Sequence, residues 1–151
     1  MTVVFVTGMS GTGKSSALAE LARRGHRVVD TDYGGWIEGE AEPLWREDRI
    51  RELLDEHGDD TLFISGCVAN QGRFYDRFDA VVLLSAPADV IIGRIATRTT
   101  NEFGKDPGER ALILADLDAT EPRLRATCTQ EIDATRLVDD VVEALIDVGR
   151  R

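Results

Sequence analysis

The sequence predicts an α/β domain of three layers, a five-stranded parallel sheet with helices on both faces and a short lid. Two observations predict it. Apolar, β-branched runs alternate with helical patterns five times along the 151 residues, an order that calls for parallel strands joined by helical crossovers. Between the first run and the first helix stands Gly8-Met9-Ser10-Gly11-Thr12-Gly13-Lys14-Ser15. Its glycine, free positions and closing Gly-Lys-Ser have the spacing of a loop that wraps phosphate oxygens at a helix N-terminus.

Taken in order, Val3-Val4-Phe5-Val6 reads as a buried strand, and residues 14–24 as a helix with Ala17, Leu18, Leu21 and Ala22 on one side. Gly25 closes that helix. His26-Arg27-Val28-Val29 is a second strand running into Asp30-Thr31-Asp32. Acids at a strand's carboxyl end fall where open parallel sheets hold their ligands; the alternative is a turn or cap role. Residues 33–42, with Gly34, Gly35 and Gly39, look like a flexible connection, and Pro43 opens a helix through His57 that Gly58 ends. Leu44, Trp45, Ile50, Leu53 and Leu54 supply its apolar side. Arg46 either reaches the substrate mouth or balances Glu42, Glu47 and Asp48, while Arg49 reads as solvated.

Thr61-Leu62-Phe63-Ile64 is a third strand, ending in the small residues Ser65-Gly66-Cys67. Close approach to a ligand is one reason for them, tight packing another. Residues 71–78 form a short helix and 80–84 a fourth strand, bounded by Ser85-Ala86-Pro87. The helix from Pro87 turns Val90, Ile91 and Ile95 inward. Arg94 and Arg98 share a neighbouring face, as a phosphate clamp or as partners of surface acids. Residues 97–108 then have the polar, glycine- and proline-bearing character of a lid. A helix over 108–120 shows Leu112, Ile113 and Leu117, with Pro122 breaking or kinking it before Leu124 and Cys128. Gln130-Glu131-Ile132-Asp133 is the last strand, and Asp133-Ala134-Thr135 turns into an amphipathic helix marked by Val138, Val141, Val142, Leu145 and Ile146.

Composition narrows the function. A formal charge of −10, with acids spread throughout, disfavours nucleic acid and anionic membranes, whose binding rests on clustered cations. Cys67 and Cys128 stand apart without CxxC spacing, so neither a disulfide scaffold nor a zinc site is indicated. The apolar runs are too short to span a bilayer and the first strand follows no basic leader. These features predict one domain over 1–151, cytoplasmic and soluble, acting as a monomer or homodimer.

In the glycine-rich loop, Gly8, Gly11 and Gly13 let backbone N–H groups converge on phosphate, and Ser10, Thr12 and Ser16 complete the nucleotide-binding set. Lys14 is placed to reach the terminal phosphates, and the Ser15 hydroxyl to bind Mg²⁺. The expected ligands are therefore ATP and Mg²⁺.

With these residues laid out, the chain resembles the shikimate kinase and nucleoside monophosphate kinase group of P-loop phosphotransferases, most closely the shikimate-kinase-like branch. The loop matches; Asp30-Thr31-Asp32 is similar to that branch's Asp-Ser-Asp, Trp45-Arg46 to its Phe-Arg, and Pro122 lies in a similar late segment. The resemblance implies a P-loop NTPase fold and transfer of the γ-phosphoryl group of ATP to a small-molecule hydroxyl. It implies that Asp30 assists Mg²⁺ beside Ser15, that Asp32 orients the acceptor hydroxyl and that Arg46, Ser65, Gly66 and Cys67 line the acceptor site. Lys14, Arg94 and Arg98 would stabilise the transferring charge, and Asp133 and Thr135 would lie beside adenine. Two departures count against shikimate itself as acceptor. Ser65-Gly66-Cys67 stands in place of a triple glycine, and Thr120 in place of an arginine that grips the acceptor's carboxylate, leaving Arg123 or Arg125 to substitute. A nucleoside monophosphate kinase, using Arg46, Arg49 and Arg73, is the nearest alternative; a nucleotide-binding regulator without transfer is the other.

Overall fold

The computed structural model describes residues 1–56, 58–97 and 105–150. Its main sheet comprises β1 (Thr2–Thr7), β2 (Arg27–Asp30), β5 (Thr61–Ser65), β6 (Ala80–Ser85) and β7 (Gln130–Asp133), in the order β2-β5-β1-β6-β7. Every pairing in it is parallel. The strand order reverses around β1, so the crevice at that strand's carboxyl end is where a ligand is held in such a sheet. That end leads into the glycine-rich loop.

Alternation along the strands divides the core between two faces. Val4, Val6, Phe63, Val82, Leu84 and Ile132 pack beneath α1 (Lys14–Arg23), α3 (Ala88–Thr97) and α5 (Val138–Gly149). Val3, Phe5, Leu62, Ile64 and Val81 face the other way, onto α2 (Glu47–Leu54), Trp45, Phe74 and Phe78. Helix α4 (Pro107–Thr127) serves both, sending Ile113 to the first cluster and Leu124 to a small group with Met9 and Leu83. Gly25, at φ +89°, ends α1 as expected: its N–H donates to Ala22 O and that of His26 to Leu21 O, which satisfies two carbonyls of the last turn. Among the described residues no helix is long and apolar enough to cross a membrane.

Several expectations are corrected. Leu44–Trp45 is a strand, β4, paired antiparallel with β3 (Ile37–Glu38), where a helix from Pro43 was expected. Contacts distant in sequence decide it. The Trp45 backbone donates to Asn70 Oδ1 at 2.9 Å and accepts from Asn70 Nδ2 at 3.1 Å, and its indole donates to Thr31 Oγ1 at 2.9 Å. Residues 33–42 are thus partly ordered by β3, and α2 begins only at Glu47 and ends at Leu54. His57, the expected end of that helix, lies outside the described residues. Residues 71–78 form a 3₁₀ helix, Gln71–Arg77.

Pro122 does not break α4, which runs through it. The helix is held on either side, by Thr120 Oγ1 on Asp116 Oδ1 at 3.2 Å and by Arg125 on both Glu121 and Glu131. One missing N–H is tolerated between such anchors. Asp106 caps the start, accepting from the Glu109 N–H at 2.8 Å, with Pro107 in the first turn. Leu112 is 63% exposed and Ala22 is also exposed, so neither joins the core. Each lies a step beyond the buried arc of its helix.

Candidate active site

The loop is pressed into place from both sides. A Cβ on Gly8 would come within 2.5 Å of the Leu84 carbonyl oxygen, and one on Gly11 within 3.1–3.2 Å of Ile91 and Ile95. Gly13, at φ +91°, is different: nothing stands within 4 Å of where its Cβ would be, so the backbone there faces open cleft. Met9 anchors the bend, its carbonyl accepting from the Thr12 N–H at 3.3 Å and the Thr12 hydroxyl at 2.8 Å. The Thr12 side chain is thus buried in the turn and does not line the cleft.

Lys14 is buried at the head of α1, its ammonium donating to Gly8 O at 2.6 Å and Met9 O at 3.1 Å. Burial holds its pKa below the usual lysine range, opposed by the negative fields of Cys67, Asp32 and Asp30. On the next residue the Ser15 hydroxyl donates to Asp30 Oδ2 at 2.6 Å, and the other Asp30 oxygen accepts the Asp32 N–H at 3.1 Å. The tip of β2 and the start of α1 are so locked together. The Asp32 carboxyl is held above the usual range, chiefly because the concave mouth withdraws it from water; Lys14 opposes this and Asp30 adds to it.

Ser15 and Asp30 suit Mg²⁺. Both offer hard oxygen atoms at the loop's exit, and Mg²⁺ takes one or two protein ligands and completes its shell with water and phosphate. Among the described residues no group of three or more His, Cys, Asp or Glu side chains could hold a metal. A phosphate-bridged ion on these two residues is thus better matched to the chain than an all-protein cage.

A cleft of about 510 Å³ opens over the loop, lined by Ser10, Gly11, Gly13, Lys14, Ser15 and Ser16 of the loop and first helix. Met9, Asp32, Tyr33, Cys67, Asp116 and Arg94 complete the lining. Arg94 forks between Gly11 O and Ala134 O, tying the loop to the turn after β7. In that turn Asp133 accepts from the Thr135 N–H and hydroxyl, so these two residues stabilise the bend and do not line the cleft. Arg98 and most of the expected lid lie outside the described residues.

Other candidates are drawn elsewhere. Ser65 is buried below the floor, its hydroxyl without a hydrogen-bond partner among the described residues. Gly66 packs on Thr31 and Trp45, which favours tight packing as the reason for its size. Arg46 lies 3.7 Å from Glu38 and lines a separate surface cleft with Arg49, Arg51 and Arg73. Arg73 bonds Glu47 at 2.9 Å. Arg49, expected to be merely solvated, donates to Gly34 O and Gly35 O at 2.8 Å and stacks over Trp36, 4.2 Å from the ring centre. Arg125 is engaged by Glu121 and Glu131. Met9, Tyr33 and Asp116 are the cleft residues that sequence reasoning missed as site residues. Tyr33 directly follows Asp32, a signal that could have found it; Asp116 sits mid-helix with no local mark.

A parallel sheet of this order, with a glycine-rich loop and its lysine at the head of the first helix, defines a P-loop nucleoside-triphosphate-binding fold. The chain belongs to the AAA domain family, whose profile matches residues 4–115. Shikimate kinase from Acinetobacter baumannii in complex with shikimate superposes with a TM-score of 0.71 at 19% identity, covering 98% of this chain and 92% of that one. A gluconokinase from Sinorhizobium meliloti 1021 gives 0.68 at 19%, with 99% and 92% covered. Deoxyadenosine kinase from M. mycoides with bound dATP gives 0.64 at 14%, with all of each chain covered. At these identities the likeness is one of fold, that of the P-loop small-molecule kinases. No curated protein matches the chain in sequence.

Proposed function

We propose that the protein, acting as one domain over residues 1–151 with a lid near 97–108, transfers the γ-phosphoryl group of ATP to a hydroxyl of a small molecule. The observation that carries this reading is the convergence, in one cleft, of a buried loop lysine and the Asp32 carboxylate beside the Ser15–Asp30 pair. A nucleotide binder without chemistry has no use for the second acid. The nucleoside monophosphate alternative asks for arginines at the acceptor mouth, and Arg46, Arg49 and Arg73 engage Glu38, backbone carbonyls and Glu47 instead.

In this reading the loop N–H groups and Lys14 hold the donor's phosphates, and Asp32 accepts a hydrogen bond from the acceptor hydroxyl to align its oxygen. The acceptor O–P bond forms as the bond from the γ-phosphorus to the β–γ bridging oxygen breaks; the proton passes to Asp32 and then to water, and ADP leaves. A carboxylate whose pKa is raised is the better proton acceptor. Mg²⁺ would be held by Ser15 and Asp30 and would supply charge neutralisation to the phosphates. Arg94 fixes the loop's shape through Gly11 O.

The test is ATP-dependent product formation over a panel of hydroxyl metabolites, including shikimate and gluconate, and nucleoside monophosphates. Lys14→Ala is expected to lower turnover by about two to three orders of magnitude, the scale of removing a positioned charge-stabilising donor. Near-normal turnover in that variant, or product from nucleotides alone, overturns the reading.

A further inference from the structure

The cleft carries two acids besides its basic residues. Lys14 and Arg94 belong to the phosphate loop's surroundings, the first in the loop and the second bonded to Gly11 O, while Asp32 and Asp116 enter the same cleft from other elements with Tyr33 and Cys67. Lys14 and Arg94 are the basic side chains among the described residues of the lining. Among the described residues, the arginines weighed as acceptor ligands are engaged outside the cleft or stand off its lining. Arg46 faces Glu38, Arg49 holds the Gly34 and Gly35 carbonyls, Arg73 bonds Glu47, Arg125 bonds Glu121 and Glu131, and Arg123 is exposed elsewhere.

Asp116 is the distinctive member. It projects from the middle of α4, and among the described residues its partner is the Thr120 hydroxyl at 3.2 Å and not a basic side chain. The Cys67 thiol is raised in pKa first by burial; Lys14 and a bond from Thr7 pull it down, while Asp116 and Asp32 both push it up. The two acids thus act on one sulfur from two elements, α4 and the turn after β2, and face the same space. An anionic acceptor held between Asp32 and Asp116 would meet two like charges, whereas Lys14, the cation that also acts on Asp32 and Cys67, is committed to the donor's phosphates in this reading.

We propose that the acceptor is a hydroxyl compound carrying an amino group, of the amino alcohol or amino sugar class, whose ammonium is bound by Asp116 while its hydroxyl is aligned by Asp32. The inference rests on the phosphotransfer reading of the cleft. The amine is recognised and not phosphorylated, so the bonds made and broken are those given above. Tyr33, at the rim and 65% exposed, offers an aromatic face to the same cation.

The experiment uses the full chain with Mg²⁺ and matched acceptors of one carbon frame: glucosamine, glucose and gluconate, together with ethanolamine, ethylene glycol and glycolate. Binding is measured by calorimetry with a non-hydrolysable ATP analogue, and KM and kcat with ATP. The expected order is amine, then neutral, then carboxylate. Asp116→Asn is expected to shrink the amine-to-neutral preference by about 10- to 100-fold, the value of one charge-assisted hydrogen bond, and to do so in KM more than in kcat. Asp116→Glu, which keeps the charge, is expected to retain a preference for the amine. A preference for carboxylates, no tighter binding of the amines than of their neutral counterparts, or an equal rise in KM for all acceptors in Asp116→Asn overturns the proposal. Tighter amine binding with no product from any acceptor instead upholds the site's charge preference and overturns the kinase reading.

Discussion

Gly66→Ala tests whether the turn after β5 is small for packing or for a ligand. The added methyl would stand 2.5 Å from Thr31 Oγ1 and 3.2–3.3 Å from the Trp45 indole. That hydroxyl is held between two bonds, donating to Ser65 O at 2.7 Å and accepting from Trp45 Nε1 at 2.9 Å. Thr31 and Trp45 are both fully buried, so neither has solvent to move into. Overpacking of about 1–3 kcal/mol and about 1 kcal/mol for each hydrogen bond strained give a loss of roughly 2–5 kcal/mol. For a chain of this length that lowers the thermal midpoint by about 4–20 °C. Urea denaturation and calorimetry of Gly66→Ala, Thr31→Ala and the double variant measure it. Thr31→Ala alone leaves Trp45 Nε1 buried without its acceptor, a cost of about 1–3 kcal/mol. In the double variant the new methyl fills the space of the deleted hydroxyl, so the losses are expected to fall short of additivity by about 2 kcal/mol. A Gly66→Ala protein within about 0.5 kcal/mol of the parent, or strict additivity, would refute the packing argument.

Two further outcomes follow from the same geometry. Because folding raises the Asp32 pKa, the folded chain holds that proton more tightly than the unfolded one, and stability is lost as pH rises from the ordinary carboxylate range through the raised value. Asp32→Asn is therefore expected to abolish transfer yet raise the midpoint at neutral pH, the gain fading in acid; a lowered neutral midpoint would contradict the sign. Pro122→Ala restores an N–H within α4. It should stabilise by about 2 kcal/mol, a helix-interior penalty of about 3 less the roughly 1 kcal/mol that proline saves in the unfolded chain, and an unchanged or lower urea midpoint would tell against it.

What the sequence made legible was whatever is decided locally. The loop's glycines, lysine and serine act on near neighbours, and each apolar run forms a strand because its own residues have two faces to bury. The hairpin of β3 and β4 was hidden because Trp45 is fixed by Asn70 and Thr31, neither of them adjacent in sequence. Arg49 was misjudged for the same reason: its partners are carbonyls on another segment. Asp116 carries no motif, and only the path of α4 across the sheet brings it over the cleft. The Asp30–Ser15 bond could be anticipated as a shared location but not as a contact, since the twist of β2 against α1 sets the distance.

The two tryptophans sit in contrasting surroundings, Trp45 sealed in the core and bonded to Thr31, Trp36 partly open beneath the Arg49 guanidinium. They give the chain two built-in optical reporters. Emission from Trp45 follows the integrity of the interior, whereas Trp36, quenched or released as the guanidinium shifts, follows the segment that leads away from Asp32. Selective replacement of either by phenylalanine separates global melting from rearrangement at the mouth, without an attached dye.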